Sequence, residues 1–401
     1  MSNESIIVCG SGIVGLAAAL GLTKVRFNAA LIGPRSVPAA AQPDVYCPRV
    51  YAISPASQQF LSQLGVWNML DEARVTKVET MEIFGDASGH VTLQAWQVAQ
   101  PCLAWIVESS ELERVLQQAV QVFGIAWHQD KFSQMQVASG TSGGTGGSTV
   151  VVTESGRQLT ANLVIGADGA SSPVRTASGI HQKSTPYGDV GLVVHLTSEH
   201  FHQNIAMQWF TSDGILALLP LPDTSEGHQV SMVWAMPKPL ADELQALPQA
   251  ERNAALELRL LQATGGRLGR LQVRSPLLGF PLFLEHSGMV APGVALVGDA
   301  AHRVHPLAGQ GLNLGLGDVE ELIRVLQQKE AYRRSGDIRV LQRYRRARAE
   351  PVMAMRLATD GLYRLFASQA APIMFARNIG MKLVDRIPFI KRRLIVGASG
   401  E

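Results

Sequence analysis

The sequence predicts an α/β protein in three parts: a discontinuous domain of strands and helices, a mostly antiparallel β-sheet domain inserted in it, and a helical C-terminal region. Two glycine-rich strand-to-helix turns, at residues 10–15 and 294–318, lie near opposite ends of the chain. Between them, residues 187–236 contain stretches in which apolar and polar residues alternate, as in antiparallel strands. Because both turns suit one ligand, the sheet between them is predicted to be an insertion.

The composition of the 401-residue chain, with 46% hydrophobic and 17% charged residues, is that of a large globular protein. The net charge is +2, but residues 331–401 carry 15 Lys+Arg against 5 Asp+Glu. This basic region is either a solvated helical face or a surface for acidic lipid headgroups or an acidic partner. Basic and aromatic residues do not alternate there, so no nucleic acid partner is expected.

Three cysteines, Cys9, Cys47 and Cys102, show no C-x-x-C spacing, which favours a reducing compartment over a disulfide framework or a zinc site. The N-terminal residues lack a basic signal-peptide region, and no run of about 18 uncharged apolar residues is present. A cytoplasmic location is predicted, with peripheral attachment to the inner membrane as a further option.

The first turn follows an apolar, β-branched run at residues 5–9 and precedes an alanine-rich helix. Its glycines, Gly10, Gly12 and Gly15, have the G-x-G-x-x-G spacing. Strand, turn and helix in this order are typical of a Rossmann-like dinucleotide site, where glycines let a pyrophosphate approach the helix N-terminus. A tight structural turn is the alternative.

The second strand, predicted at residues 28–32, departs from that pattern. An acidic residue is expected at its end to bind the adenosine ribose, but Gly33 occupies the position. Arg35 nearby either binds a phosphate or is a solvated turn residue.

Two further positions suit a phosphorylated ligand. Arg49 precedes a short strand and the helix beginning at Pro55, where its planar guanidinium can bind oxyanions. The alternative for Arg49 is a surface salt bridge. Asp168 ends the buried strand predicted at residue 163 onward and is followed by a turn.

The second glycine-rich turn places Asp299 after a buried strand and leads through Pro306 to Gly309, Gln310, Gly311 and Asn313 at the start of a helix. The free N–H groups of such a helix start favour an electron-rich ligand. His302 and His305 have a metal-ligand spacing but lack a carboxylate or cysteine partner, so no metal site is predicted.

The three motifs together, 10–15, 166–169 and 298–302, resemble those of the single-component flavin aromatic hydroxylases. Within them, the chain is most similar to the ubiquinone-biosynthesis hydroxylases of the UbiH, UbiF, UbiI and VisC type. The resemblance implies FAD contacts at Gly10, Gly12, Gly15 and Arg49 near the pyrophosphate. It also implies that Asp168 lies near the pyrophosphate, that Asp299 binds the ribityl chain, and that residues 309–311 lie beside the isoalloxazine ring.

The resemblance further implies an FAD-dependent monooxygenase that hydroxylates the ring of a polyprenylated phenol or quinone precursor through a flavin C4a-hydroperoxide. O₂ and NAD(P)H or another electron donor would be co-substrates, and other ubiquinone-biosynthesis proteins are candidate partners. The apolar residues Leu216, Leu218, Leu219, Pro220 and Leu221 are a candidate substrate wall, with Leu218 and Pro220 as the named candidates and core packing as the alternative for each. Glu108 and Ser109 are weaker site candidates. A soluble aromatic substrate and a non-catalytic role in a biosynthetic complex are the alternatives.

The predicted domain boundaries follow the motifs. Residues 1–75, 102–180 and 277–330 are assigned to the FAD-binding domain, 76–101 and 181–276 to the substrate domain, and 331–401 to the basic helical region. Apolar spacing predicts one helix over 239–261 and a long helix over 341–366 that is kinked at Pro351.

Overall fold

A computed structural model describes residues 5–36, 44–86, 89–137, 148–305, 309–367 and 371–399. Within these residues the strands are, in chain order, β1 (Ser5–Cys9), β2 (Asn28–Ile32), β3 (Val50–Ile53), β4 (Val75–Val78), β5 (Thr80–Phe84), β6 (His90–Gln94), β7 (Ala104–Glu108), β8 (Ala126–His128), β9 (Phe132–Val137), β10 (Thr149–Thr153), β11 (Gln158–Ala161), β12 (Leu163–Gly166), β13 (Gln182–Ser198), β14 (Ile205–Thr211), β15 (Gly214–Thr224), β16 (Gly227–Pro237), β17 (Leu271–Val273), β18 (Leu278–Ser287), β19 (Val290–Ala291), β20 (Val294–Leu296) and β21 (His302–Arg303).

The α-helices of the same residues are α1 (Ile13–Lys24), α2 (Pro55–Gln63), α3 (Ser109–Val122), α4 (Pro173–Ala177), α5 (Lys238–Ala246), α6 (Gln249–Thr264), α7 (Gln310–Gln327), α8 (Ile338–Ala367), α9 (Ala371–Arg386) and α10 (Pro388–Ser399). The predicted α/β fold class is confirmed.

The first layer is a six-stranded sheet in the order β19-β20-β12-β1-β2-β8. Its pairs are parallel except at the β19 edge. The central strands are buried apolar runs, as expected where helices cover both faces of a parallel sheet. Helices α1, α3 and α7 pack around this sheet and bury its largest core. Because β1, β12 and β20 are neighbouring parallel strands, their carboxyl ends lie at the same edge of the sheet. The three sequence motifs follow these strand ends and are therefore close together.

The second layer is a nine-stranded sheet that runs β21-β18-β13-β16-β15-β14-β5-β6, with β17 beside β13. It is antiparallel apart from the β14–β5 pair. The predicted division into domains stays a prediction, but two pairings cross its boundaries. Strand β18, placed by the prediction in the FAD-binding domain, pairs with β13 of this sheet. Strand β4, placed in the substrate domain, pairs with β7 in a separate three-stranded sheet with β3.

The helix predicted over residues 239–261 is two helices, so that prediction was wrong. Helix α5 ends at Ala246, and Leu247 is extended because it precedes Pro248, whose ring disfavours a helical residue before it. Pro248 then serves as the N-cap of α6. Both helices cover one face of the nine-stranded sheet and build its apolar core.

The C-terminal region contains α8, α9 and α10, and α8 includes Pro351 within its length. Within the described residues, no helix is long and apolar enough to cross a membrane. Strands β9 and β10 pair as an antiparallel hairpin. The glycine-rich segment 138–147 between them lies outside the described residues.

Candidate functional site

The first glycine turn is shaped by close backbone contacts. Gly10 has φ +116°, and a Cβ at this position would lie 2.1 Å from the Ala167 carbonyl oxygen. A Cβ on Gly15 would lie 2.0 Å from the Gly10 carbonyl oxygen. These two glycines therefore permit the turn itself and its contact with the Asp168 segment.

Gly12 has a different environment. It is the N-cap of α1 and offers no side-chain cap, and a Cβ on it would meet nothing within 4 Å. No side chain caps the first N–H groups of α1 and the space beside Gly12 is open, as an anion-binding helix start requires.

The missing acidic residue at position 33 has a steric explanation. A Cβ on Gly33 would lie 2.5 Å from the Ser11 hydroxyl oxygen, which itself donates a 2.6 Å hydrogen bond to the Pro34 carbonyl. Trp127 also donates to the Gly33 carbonyl. Arg35 stacks 5.5 Å over the Trp127 ring and donates to Gln121. Ser11 therefore occupies the space that a side chain at position 33 would need.

Asp168 lies next to the first turn but uses its carboxylate locally. It accepts hydrogen bonds from the Ser172 hydroxyl at 2.5 Å and from the Val174 N–H at 3.0 Å. Burial raises the pKa of Asp168, although these bonds lower it. Arg175, which follows in α4, donates to the Ala170 and Ala300 carbonyls. It thereby ties the Asp168 turn to the turn that carries Asp299.

Arg49 and Asp299 are exposed charged side chains that form no ion pair or hydrogen bond with the described residues. The Arg49 guanidinium lies 5.1 Å from the centre of the Tyr51 ring. The charge of Asp299 also acts on Tyr51, whose pKa is raised mainly by burial. A cation and a carboxylate therefore lie near the same tyrosine, and each is free to bind a ligand.

Glu108 and Ser109 act through the Arg49 segment. The buried Glu108 carboxylate accepts from Arg74 and from the Cys47 N–H, both at 2.5 Å. The Ser109 N–H donates to the Arg49 carbonyl. Burial raises the pKa of Glu108, and its two donors lower it. These contacts position the chain around Arg49, which is a structural role.

The start of α7 repeats the features of Gly12. Gly309 is its N-cap at φ +64° without a side-chain cap, and a Cβ on Gly311 would meet nothing within 4 Å. Asn313 accepts from the Ser54 N–H and donates to the Ala52 carbonyl and to Gln310. Its amide therefore fastens α7 to β3, which favours positioning over direct contact with a ligand. Pro306 lies outside the described residues.

Helices α1 and α7 are in contact with each other and with the Gly298 turn near their N-terminal ends. A Cβ on Gly315 would lie 2.9 Å from a Val14 methyl group and 3.1 Å from the Gly298 Cα. The two uncapped helix starts and the Asp299 turn therefore lie close together.

Sequence reasoning missed a buried charge network behind this site. Asp318 is fully buried, and its carboxylate accepts from the His302 ring at 2.7 Å, Arg348 at 2.7 Å and the Gly298 N–H at 2.9 Å. Burial alone would raise the pKa of Asp318, but His302, Arg348 and the Gly298 N–H together lower it. The signal in the sequence was a carboxylate four residues from Leu314 and Leu322 on the apolar face of α7.

The network explains how His302 can be buried, because its ring forms a hydrogen bond with Asp318. His305 differs: it is 1% exposed, and both ring nitrogens lack a partner among the described residues. Its ring packs against Tyr187 and Tyr363, with centroids 4.9 and 5.0 Å away, and burial lowers its pKa to about 4.

The substrate-wall role predicted for Leu218 does not fit its position. Successive residues of a strand point to opposite faces. Leu216 and Leu218 lie in the core under α5 and α6, whereas Leu219 and Leu221 pack with Ala52 on the other face. Pro220 follows the alternation of Leu218. The face directed toward Ala52, which Gly309 also contacts, therefore carries the odd-numbered residues of β15.

Comparison with known proteins agrees with this geometry. Residues 3–357 match the family model described as FAD binding domain. The chain is 33% identical over its full length to the full-length 3-demethoxyubiquinol 3-hydroxylase of Escherichia coli (strain K12). It is 30% identical to ubiquinone hydroxylase UbiL of Rhodospirillum rubrum, covering 98% of this chain and 89% of that protein.

Among solved structures, p-nitrophenol 4-monooxygenase PnpA of Pseudomonas putida DLL-E4 has the same fold, with a TM-score of 0.74 at 16% identity over 99% of this chain and 98% of that one. The family resemblance noted in the sequence is confirmed. The chain belongs to the FAD-binding domain family and, within it, to the FAD-dependent aromatic-ring monooxygenases of ubiquinone biosynthesis.

Proposed function

We propose that this enzyme hydroxylates the ring of a polyprenylated phenol or quinone precursor of ubiquinone, with O₂ and with NAD(P)H or another electron donor as co-substrates. The observation that carries the proposal is the meeting of two uncapped helix starts with the unpaired Arg49 and Asp299 at one site. The names of its curated relatives support the pathway.

The residues fit FAD. The open N–H groups at Gly12 and the Arg49 guanidinium suit the pyrophosphate, since both favour negative charge. The exposed Asp299 carboxylate suits ribityl hydroxyl groups, which donate hydrogen bonds. Gly309 and Gly311, at the start of α7, suit the ring end, because the helix start stabilises negative charge there. Asp168 lies beside the first turn and shapes the backbone around the pyrophosphate.

Bound FAD would supply the activation of O₂ and the transfer of a hydroxyl group to the ring. The protein must then hold the ring near the flavin and exclude water. The face formed by Ala206, Leu219 and Leu221 is apolar and continues to Ala52, against which Gly309 packs. Residues 187–236 contain no Lys or Arg, so they offer no cation for a substrate carboxylate. This favours a neutral, prenylated ring over a soluble aromatic acid.

We further infer that the C-terminal helices hold the enzyme against an anionic membrane surface, where a prenylated substrate resides. Leu357 on α8 and Phe389 on α10 are 64% and 73% exposed, which is unusual for large apolar side chains. Other exposed apolar residues on these helices are Met353, Leu362, Leu365, Ile379, Leu383, Leu394 and Val396. Exposed cations without a described ion pair accompany them: Lys382, Arg386, Arg392 and Arg393. Apolar and basic residues together suit an acidic lipid surface.

Deletion of the gene in its host, followed by mass spectrometry of the quinones, tests the hydroxylation. Accumulation of an under-hydroxylated prenylated phenol is expected, and the intact gene should reverse it. An unchanged ubiquinone pool, in a host without a second enzyme of this type, would contradict the proposal.

A further inference from the structure

The antiparallel pair of β13 and β16 places two buried polar side chains opposite each other on the face that Leu219 and Ala206 share. His195 is 3% exposed and Ser231 is 0% exposed, and the two are cross-strand partners. Ser231 is in turn the cross-strand partner of Leu219. The pair therefore borders the apolar cluster that contains Leu219 and Ala52, and the Tyr46 ring of that cluster lies 6.5 Å from the His195 ring.

His195 and Ser231 are close neighbours by the geometry of the ladder. The His195 N–H donates to Ser275, and its carbonyl accepts from the Arg274 N–H, so neither group bonds to β16. His195 and Ser231 are thus a non-hydrogen-bonded pair, in which Cα atoms lie about 4.5 Å apart and side chains are closest.

Both side chains nevertheless have unsatisfied hydrogen-bonding atoms. Among the described residues, neither the His195 Nδ1 atom nor the Ser231 hydroxyl has a partner. Leaving a buried polar group without a partner costs about 1–3 kcal/mol, and two such groups side by side need an explanation.

The other ring nitrogen of His195 determines which atom of the pair donates a hydrogen bond and which accepts one. Its Nε2 atom lies 2.7 Å from the Cys47 carbonyl oxygen, which only accepts, so Nε2 carries the hydrogen. Burial lowers the pKa of His195, which keeps the ring neutral at pH 7. Nδ1 is therefore an acceptor, and the Ser231 hydroxyl beside it is able to donate.

An acceptor next to a donor is complementary to a group that both donates and accepts through one atom, which is a hydroxyl. A methyl ether or a quinone carbonyl has no hydrogen to donate to Nδ1. Resting on the proposed function, we propose that His195 and Ser231 bind a free ring hydroxyl of the aromatic substrate and select the phenol over its methyl ether and over the quinone.

The test is a binding measurement on the FAD-loaded enzyme without an electron donor, so that it does not depend on turnover. The probes are 2-geranylphenol and its O-methyl ether, and the readout is the change in flavin absorbance or the heat of binding. The wild type is expected to bind the phenol about tenfold more tightly, or about 1.4 kcal/mol.

Two variants remove one half of the pair each. Ser231→Ala removes the donor, and His195→Gln removes the Nδ1 acceptor while its amide still reaches toward the Cys47 carbonyl. Both are expected to retain FAD and to lower the preference for the phenol to near one. The control Ser198→Ala removes a hydroxyl of β13 that already donates to the His200 carbonyl, and it should keep the wild-type preference.

A wild type without preference, or a Ser231→Ala variant that keeps the tenfold ratio, would overturn the assignment. Thermal unfolding without a probe is the second readout. Because the Ser231 hydroxyl has no partner, its removal should not lower the melting temperature, whereas removal of the Ser198 hydroxyl should. A loss in Ser231→Ala equal to that in Ser198→Ala would make the pair structural and overturn the proposal. These outcomes do not depend on quinone profiling, so the two proposals fail separately.

Discussion

The two glycine turns that form the site are held in place by different means. The turn at Gly10 depends on backbone contacts between neighbours, with Gly10 against Ala167 and Gly15 against Gly10. The turn at Gly298 depends on Asp318, twenty residues later, which in turn needs Arg348 on α8. Tyr344 of α8 adds a hydrogen bond to the Leu296 carbonyl in the strand before the turn.

Because of this difference, we expect the two ends of the proposed FAD site to respond to different substitutions. The pyrophosphate end should respond to changes of the backbone and hardly at all to distant side chains. The ring end should respond to changes in α8, because the charge network connects that helix to Gly298. The C-terminal helices that we propose to meet the membrane are therefore linked to the ring end of the site.

The largest effect is expected for Asp318→Asn. It leaves the Arg348 charge without its buried partner, which costs about 3–5 kcal/mol in proteins. The free energy of unfolding, measured with urea, should fall by that amount. The control Asp360→Asn removes an i,i+4 pair with Arg364, whose side chain is 74% exposed, and should cost less than about 1 kcal/mol. Equal losses in the two variants would show that the network does not support the turn.

Acid titration also tests the contribution of Asp318 to the free energy of unfolding. The pKa of Asp318 is lower in the folded protein, so the unfolded chain binds the proton more readily. The stability it contributes is present above its unfolded pKa of about 3.9 and is lost as pH falls through the folded pKa. The difference in unfolding free energy between wild type and Asp318→Asn should therefore narrow below about pH 4.

The second effect compares two glycines of one turn. Gly10→Ala places a Cβ against the Ala167 carbonyl at a φ that suits glycine, and we expect a loss of about 3 kcal/mol in unfolding free energy. Gly12→Ala meets open space, so its stability should change by less than about 0.5 kcal/mol while FAD retention falls. A Gly12→Ala enzyme as yellow as the wild type would contradict the proposed pyrophosphate contact.

The third effect concerns the ring end directly. Asp299→Ala removes an exposed carboxylate without a described partner, so the unfolding of the FAD-free protein should be unchanged. FAD binding should weaken about tenfold or more, because hydrogen bonds to charged groups contribute about 1.5–3 kcal/mol. Flavin absorbance after gel filtration measures the loss, and Asp242→Ala, on the exposed face of α5, is the control.

The smallest effect concerns the C-terminal helices. Leu383→Ser on α9 should weaken binding to vesicles that contain anionic phospholipid by about tenfold. Burying one exposed leucine side chain in the lipid contributes at most about 1.5–3 kcal/mol to the binding free energy. Leu258→Ser on α6 is the matched control, since the two leucines are 54% and 57% exposed. Vesicle sedimentation measures both. Equal binding of the two variants would remove the support for the proposed membrane surface.

Local patterns predicted much of the fold. Strand β1, the turn and α1 follow from an apolar run, glycine spacing and an alanine-rich segment. Pro248 marks the break between α5 and α6 in the sequence itself, and the prediction of one helix over 239–261 did not take it into account. The alternation in β15 was also visible, but the choice of the face that carries Leu218 was not, since it depends on where α5 and α6 pack.

The sequence by itself determined the α/β class, the three motifs and the family, because glycine conformations, strand ends and helix starts are properties of neighbouring residues. Only the tertiary structure decided that Asp318 joins His302 and Arg348, that Ser11 occupies the space beside Gly33, and that His195 lies opposite Ser231. These relations join residues far apart in the chain. Their energies depend on burial and on hydrogen-bond geometry, which exist only once the layers have packed together.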